Sequence, residues 1–114
     1  MALIKQLDRR GVTASYFYLE SLRFAKTARQ ASAIFGLCVD KEHRAAVKRR
    51  ESAPLESHVA TVRITGDTFD HYFPPGVRVA KNIEAQIFKA IKAGKAEIKM
   101  DEGPGFFGDA GDDD

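Results

Sequence analysis

The sequence predicts an α+β fold in which a small antiparallel β-sheet packs against one main C-terminal helix, followed by an acidic, glycine-rich C-terminal tail. Strand-like segments come first, the clearest helical periodicity comes late, and the last fourteen residues contain six acidic residues and no basic one. Strands followed by helices favour an antiparallel sheet with helices on one side. We therefore expect a single α+β domain over residues 1–100 and a tail over residues 101–114.

The first two predicted strands form a hairpin. Residues 2–7 alternate between apolar and polar, residues 8–11 end in glycine and predict a turn, and residues 11–24 continue as a long second strand. The second strand contains four consecutive large apolar residues: Tyr16, Phe17, Tyr18 and Leu19. Because successive side chains of a strand point to opposite faces, this run needs cover on both faces. In a chain this small, we expect another protein to supply the second cover.

A third strand is predicted over residues 33–39, after a polar loop or hairpin tip at residues 26–32. Gly36 inside this strand predicts a bulge or close packing against an aromatic neighbour. Cys38 is the only cysteine, so it cannot form a disulfide within the chain. Its apolar surroundings predict an inert, buried thiol.

A short helix is predicted next, within residues 40–51, with Asp40 as its N-cap. It should end by Ser52, because Pro54 disfavours helical geometry at the residue before it. Alternation over residues 55–65 then predicts a half-buried strand.

The best helical pattern follows a proline-rich break. Apolar residues recur at three- and four-residue spacing from Val79 to Ile91, and Gly94 supplies a C-terminal stop. This is the main helix of the predicted fold.

Composition bounds the class of protein. The chain has 114 residues, 44% hydrophobic and 30% charged, with a net charge of +2. These values are typical of one folded domain rather than of a disordered chain. No apolar run approaches the length of a membrane span and the first residues lack a signal-peptide core, so we expect neither a membrane segment nor export by that route.

No catalytic or metal motif is recognisable, so the sequence predicts neither an enzyme nor a metal or cofactor site. The three histidines are dispersed and lack the short spacing of zinc ligands. Asp67 and Asp70 have a spacing that paired-carboxylate catalysis could use, but such aspartates more often stabilise turns. The glycines of the tail match no phosphate-binding loop.

Two further segments are candidate contact sites. A basic cluster, predicted either to bind nucleic acid or an acidic partner or simply to be solvated, consists of Lys41, Arg44, Lys48, Arg49 and Arg50. In the tail, Phe106 and Phe107 lie among glycines and acidic residues. They predict a docking peptide, with a solvated chain end as the alternative. The acidic tail could neutralise a basic surface of its own chain or of a neighbour.

The combination GVTASYFYLESLRF, AIFGLCVDKEHRAA, GDTFDHYF and NIEAQIFKAIKA resembles a group of small tailed-bacteriophage proteins over most of residues 10–95. The resemblance implies a minor virion component, usually of the tail or baseplate, with a packing role and no catalytic residues. The chain departs from the pattern in its GPGFFGDAGDDD ending and in the heavier basic cluster.

The leading hypothesis is therefore a non-enzymatic virion subunit of a tailed phage, assembled in the host cytoplasm. It would contact other virion proteins and copies of itself through Tyr16, Phe17, Tyr18, Leu19, Phe106 and Phe107. A capsid decoration protein is a close alternative. A single-stranded nucleic-acid-binding accessory protein is the alternative of another class, because sheet aromatics can stack bases while cations follow the backbone.

Overall fold

The computed structural model describes residues 2–75, 80–103 and 105–113. The described strands are β1 (Ala2–Arg9), β2 (Val12–Ala25), β3 (Gln30–Cys38), β4 (Glu56–Thr65), β5 (Glu97–Lys99) and β6 (Gly111–Asp113). The described helices are α1 (Lys41–Lys48), α2 (Gly66–Tyr72) and α3 (Ala80–Lys92), with a short 3₁₀ helix at Phe106–Asp109. The start of the predicted main helix at Val79 lies outside the described residues.

The predicted α+β class is confirmed. All six strands form one sheet in the order β5-β4-β3-β2-β1-β6, and every described pair is antiparallel. Helices α2 and α3 and the 3₁₀ helix cover one face, called here the inner face, where most of the buried apolar side chains lie. Helix α1 covers part of the opposite, outer face. The prediction of one main helix is therefore too simple, since three α-helices pack on the sheet.

A β-bulge in strand β2 keeps apolar side chains on the inner core on both sides of Glu20. Leu19 pairs with Phe35 and Ser21 pairs with Ile34, so Glu20 is an extra residue opposite one position of β3. The extra residue shifts the alternation by one. Before the bulge, the odd-numbered residues Phe17 and Leu19 pack against the inner core. After it, the even-numbered residues Leu22 and Phe24 do so.

The acidic C-terminal segment is part of the domain. Phe107 is fully buried, with its ring edge-on to Phe17 at 4.9 Å between centroids. Strand β6 then pairs with residues 2–4 of β1 and adds the last strand to the sheet. We expected residues 101–114 to form a separate tail; the described part instead completes the core and one sheet edge. Pro104 and Asp114 lie outside the described residues.

Acidic residues of the C-terminal segment form ion pairs with cations of β1. The Arg9 guanidinium lies 2.7 Å from Glu102, 3.4 Å from Asp101 and 3.3 Å from Glu56, which connects the end of β1 to the start of β4. The side chain of Arg9 is only 20% exposed. Lys5 pairs with Asp109, and this hydrogen bond lowers the pKa of the Asp109 carboxyl. The acidic segment thus neutralises cations of its own chain.

Candidate interaction surface along strand β2

The aromatic run of β2 is covered on both faces by its own chain. Phe17 is fully buried in the inner core, and Leu19 packs against that core. Tyr16 and Tyr18 point to the outer face, yet they are only 9% and 6% exposed. The expectation that these four residues need a second protein as cover is therefore wrong.

Helix α1 supplies the outer cover, and local hydrogen bonds place it there. Asp40 caps the helix by accepting a hydrogen bond from the His43 backbone N–H at 2.8 Å, as the sequence predicts. The His43 ring accepts a hydrogen bond from the Val39 N–H at 3.0 Å and lies 2.9 Å from the Ala53 carbonyl oxygen. The helix ends at Lys48, before Ser52, and its Val47 packs against the tyrosine cluster.

Gly36 makes room for the Tyr18 ring. A Cβ atom built on Gly36 would lie 2.5 Å from Cζ and Oη of Tyr18, far inside van der Waals contact. Arg44 lies over the ring, with its guanidinium carbon 4.0 Å from the ring centroid. The predicted packing of Gly36 against an aromatic neighbour is confirmed, and the ring contacts both a glycine backbone and a cation.

The Tyr18 hydroxyl donates a hydrogen bond to Glu20 at 3.2 Å. Burial, and then the neighbouring Glu20 carboxylate, raise the pKa of Tyr18 to about 12 from an ordinary value of 10.0. The nearby Cys38 thiol is buried and unpaired, and burial also raises its pKa, in keeping with the predicted inert thiol.

This pKa predicts a loss of stability at high pH. Between pH 10 and about 12 the unfolded chain releases the Tyr18 proton while the folded chain keeps it, so the free energy of unfolding falls as pH rises through this window. Urea unfolding at pH 9 and pH 11 measures the fall, and Tyr18→Phe should reduce it. An equal fall in the wild type and in Tyr18→Phe would contradict the assignment to this hydroxyl.

The basic cluster is divided between α1 and the loop that follows it. Arg44 stacks on Tyr18, and Arg49 pairs with Glu51 at 2.6 Å. Lys41, Lys48, Arg49 and Arg50 are exposed. The only exposed large apolar residue in the described chain is Val12, and the sheet tyrosines Tyr16 and Tyr18 are buried.

Phe106 and Phe107 do not form an open docking peptide. Phe107 is fully buried, and Phe106 packs at 5.7 Å from Phe17 with the Lys5 ammonium 5.0 Å from its ring centroid. Both side chains belong to the core of their own chain. This burial could not be predicted, because a short glycine-rich segment has no periodicity that marks a buried side.

Asp67 and Asp70 bind an arginine. Arg29, at the tip of the β2–β3 hairpin, pairs with Asp70 and lies 3.4 Å from Asp67. The hydrogen bond that the Arg29 guanidinium donates to Asp70 is the main cause that raises the pKa of Arg29. The two carboxylates therefore attach the hairpin tip to α2, a structural role like the turn role that the sequence favours. Asp67 also borders a cleft of about 330 Å³ with Thr68, His71, Tyr72 and Lys95.

Strand β2 leaves one edge of the sheet open. β1 pairs with β2 only as far as Tyr18, which faces Ala2, whereas β3 continues beside β2 to Ala25. In the described part of the chain, no strand pairs with the other edge of residues 20–25. We call these residues the open edge. A cavity of about 180 Å³ lies next to it, lined by Tyr16, Tyr18, Leu19, Arg44, Lys48 and Glu84.

The chain matches no family model, no curated protein and no solved structure. Within the described residues, no group of three or more His, Cys, Asp or Glu side chains is arranged to hold a metal ion. None of the described helices has the length and apolar character needed to cross a membrane.

Proposed function

We propose that this chain is a non-enzymatic structural subunit of a tailed-bacteriophage virion. In this proposal the subunit belongs to the tail or baseplate and assembles through protein–protein contacts. The sequence resemblance over most of residues 10–95 supports this class of protein. Decoration of the capsid is the close alternative, since both locations require the same kind of contact.

The open edge is the observation that carries this proposal. A strand edge with unpaired N–H and C=O groups is a template for pairing with another chain. Here residues 20–25 leave about six residues of edge, or roughly 20 Å, unpaired in the described structure. We therefore assign the proposed contact to residues 20–25 and not to the aromatic run, which is covered.

The nucleic-acid alternative is less well supported. The cations it requires are present, but Tyr16 and Tyr18, the sheet aromatics that would stack on bases, lie under α1. Titration with single-stranded oligonucleotide at several salt concentrations tests the nucleic-acid alternative, and tight binding at low salt would support it.

Mass spectrometry of purified particles of the encoding phage tests the proposed function directly. We expect the chain at a fixed copy number per particle. Separate analysis of isolated tails and heads decides between tail and capsid. Absence from both fractions would contradict the proposal.

A further inference from the structure

The edge of the sheet that includes the open edge has the shape of a step. β1 lies beside β2 up to Tyr18 and β6 lies beside only residues 2–4 of β1, while β2 continues for residues 20–25. On one side of the step the sheet extends two strands further, through β1 and β6. On the other side it stops at β2.

Strand directions make this step complementary to a copy of itself. β6 runs parallel to β2, because each is antiparallel to β1. A second copy rotated by 180° about an axis perpendicular to the sheet therefore presents its β6 antiparallel to residues 20–25 of the first. The same rotation places β6 of the first copy beside residues 20–25 of the second. Each step fills the other, and two six-stranded sheets become one continuous sheet.

Charge favours the same arrangement. The sequence of β6 and the residue after it is Gly-Asp-Asp-Asp. The open edge carries Arg23, and the adjoining cavity carries two cations, Arg44 and Lys48, against one acidic residue, Glu84. In the antiparallel arrangement, the acidic end of β6 is the end nearest this cavity. Glu20, the acidic residue of the open edge, already accepts a hydrogen bond from the Tyr18 hydroxyl.

We infer that two copies of this chain form a two-fold symmetric dimer in which β6 of each copy pairs with residues 20–25 of the other. The contact is isologous, because the same patch is used on both copies. This inference rests on the proposed function, to which it adds the identity of the first partner: a second copy of the same chain. The dimer would be the unit that enters the particle.

Sedimentation velocity of the 114-residue chain tests the dimer. With rising protein concentration we expect a shift from 12.6 kDa to twice that mass. Because exposed charges are screened by salt, the dimer should weaken as ionic strength rises. A chain that remains monomeric over the whole accessible concentration range would overturn the inference.

Charge variants test the location. Arg23→Glu should weaken the dimer by about tenfold or more, because it places an acidic side chain beside acidic β6. Arg10→Glu is the matched control: this exposed arginine lies in the β1–β2 turn, at the far end of β2, and its replacement should leave the dimer unchanged. Arg23→Glu combined with Asp113→Arg should restore association. Equal effects of Arg23→Glu and Arg10→Glu, with both variants folded, would place the contact elsewhere and overturn the inference.

Different results would contradict the dimer and the proposed function. A monomeric chain that is present in purified particles overturns the dimer and leaves the virion role in place. A dimeric chain that is absent from particles overturns the virion role and leaves the dimer in place.

Discussion

Phe107→Ala is expected to lower the free energy of unfolding by about 3–5 kcal/mol, the usual cost of removing a fully buried phenylalanine ring. Phe107 is fully buried, and its ring lies 4.9 Å from that of Phe17 and 6.2 Å from that of Phe35. Small domains are commonly stable by only about 5–15 kcal/mol, so this loss is a large fraction of the total stability. Urea unfolding followed by far-ultraviolet circular dichroism measures the change.

Phe106→Ala is the matched control, because it removes the same ring from the neighbouring, half-buried position. We expect a smaller loss of stability. Deletion of residues 103–114 should be at least as harmful as Phe107→Ala, since it also removes β6. If the truncated chain unfolds at the same urea concentration as the full chain, the segment is a detachable tail and the packing described here is contradicted.

Gly36→Ala is expected to destabilise the chain by about 1–3 kcal/mol, the usual range for forcing an extra methyl group into a packed site. The new Cβ would lie 2.5 Å from the end of the Tyr18 ring. A shift of the ring would disturb its contact with Arg44 and the hydrogen bond that its hydroxyl donates to Glu20. The same urea experiment measures the loss.

A double-mutant cycle separates this clash from a general intolerance of β3 to substitution. In a Tyr18→Ser background the ring is absent, so Gly36→Ala should cost much less than in the wild type. If Gly36→Ala is equally harmful in both backgrounds, the ring is not the cause.

Features that depend on a few neighbouring residues could be predicted from the sequence. The cap at Asp40, the end of α1 before Pro54 and the strand at residues 55–65 follow from local chemistry, and each is present. Gly36 was recognisable because a glycine inside an apolar strand has few other uses. The α+β class follows from the order of these segments.

Features that depend on distant residues could not be predicted. The cover of Tyr16 and Tyr18 comes from α1, whose cation-rich sequence gives no sign that Arg44 would lie on a ring. Burial of Phe107 depends on a gap beside Phe17 that exists only in the folded chain. The open edge depends on which described residues of β1 and β2 pair, a property of strand register rather than of composition.

Hydrogen exchange of individual backbone amides, measured by nuclear magnetic resonance, tests most directly the claim that the aromatic run is covered by its own chain while residues 20–25 remain open for a partner. In dilute solution, we expect slow exchange at residues 14–18. Amides of residues 20–25 that point away from β3 should exchange fast, and they should become slow as the protein concentration rises. Slow exchange of these amides at every concentration, or fast exchange at residues 14–18 in the dilute sample, would contradict the account.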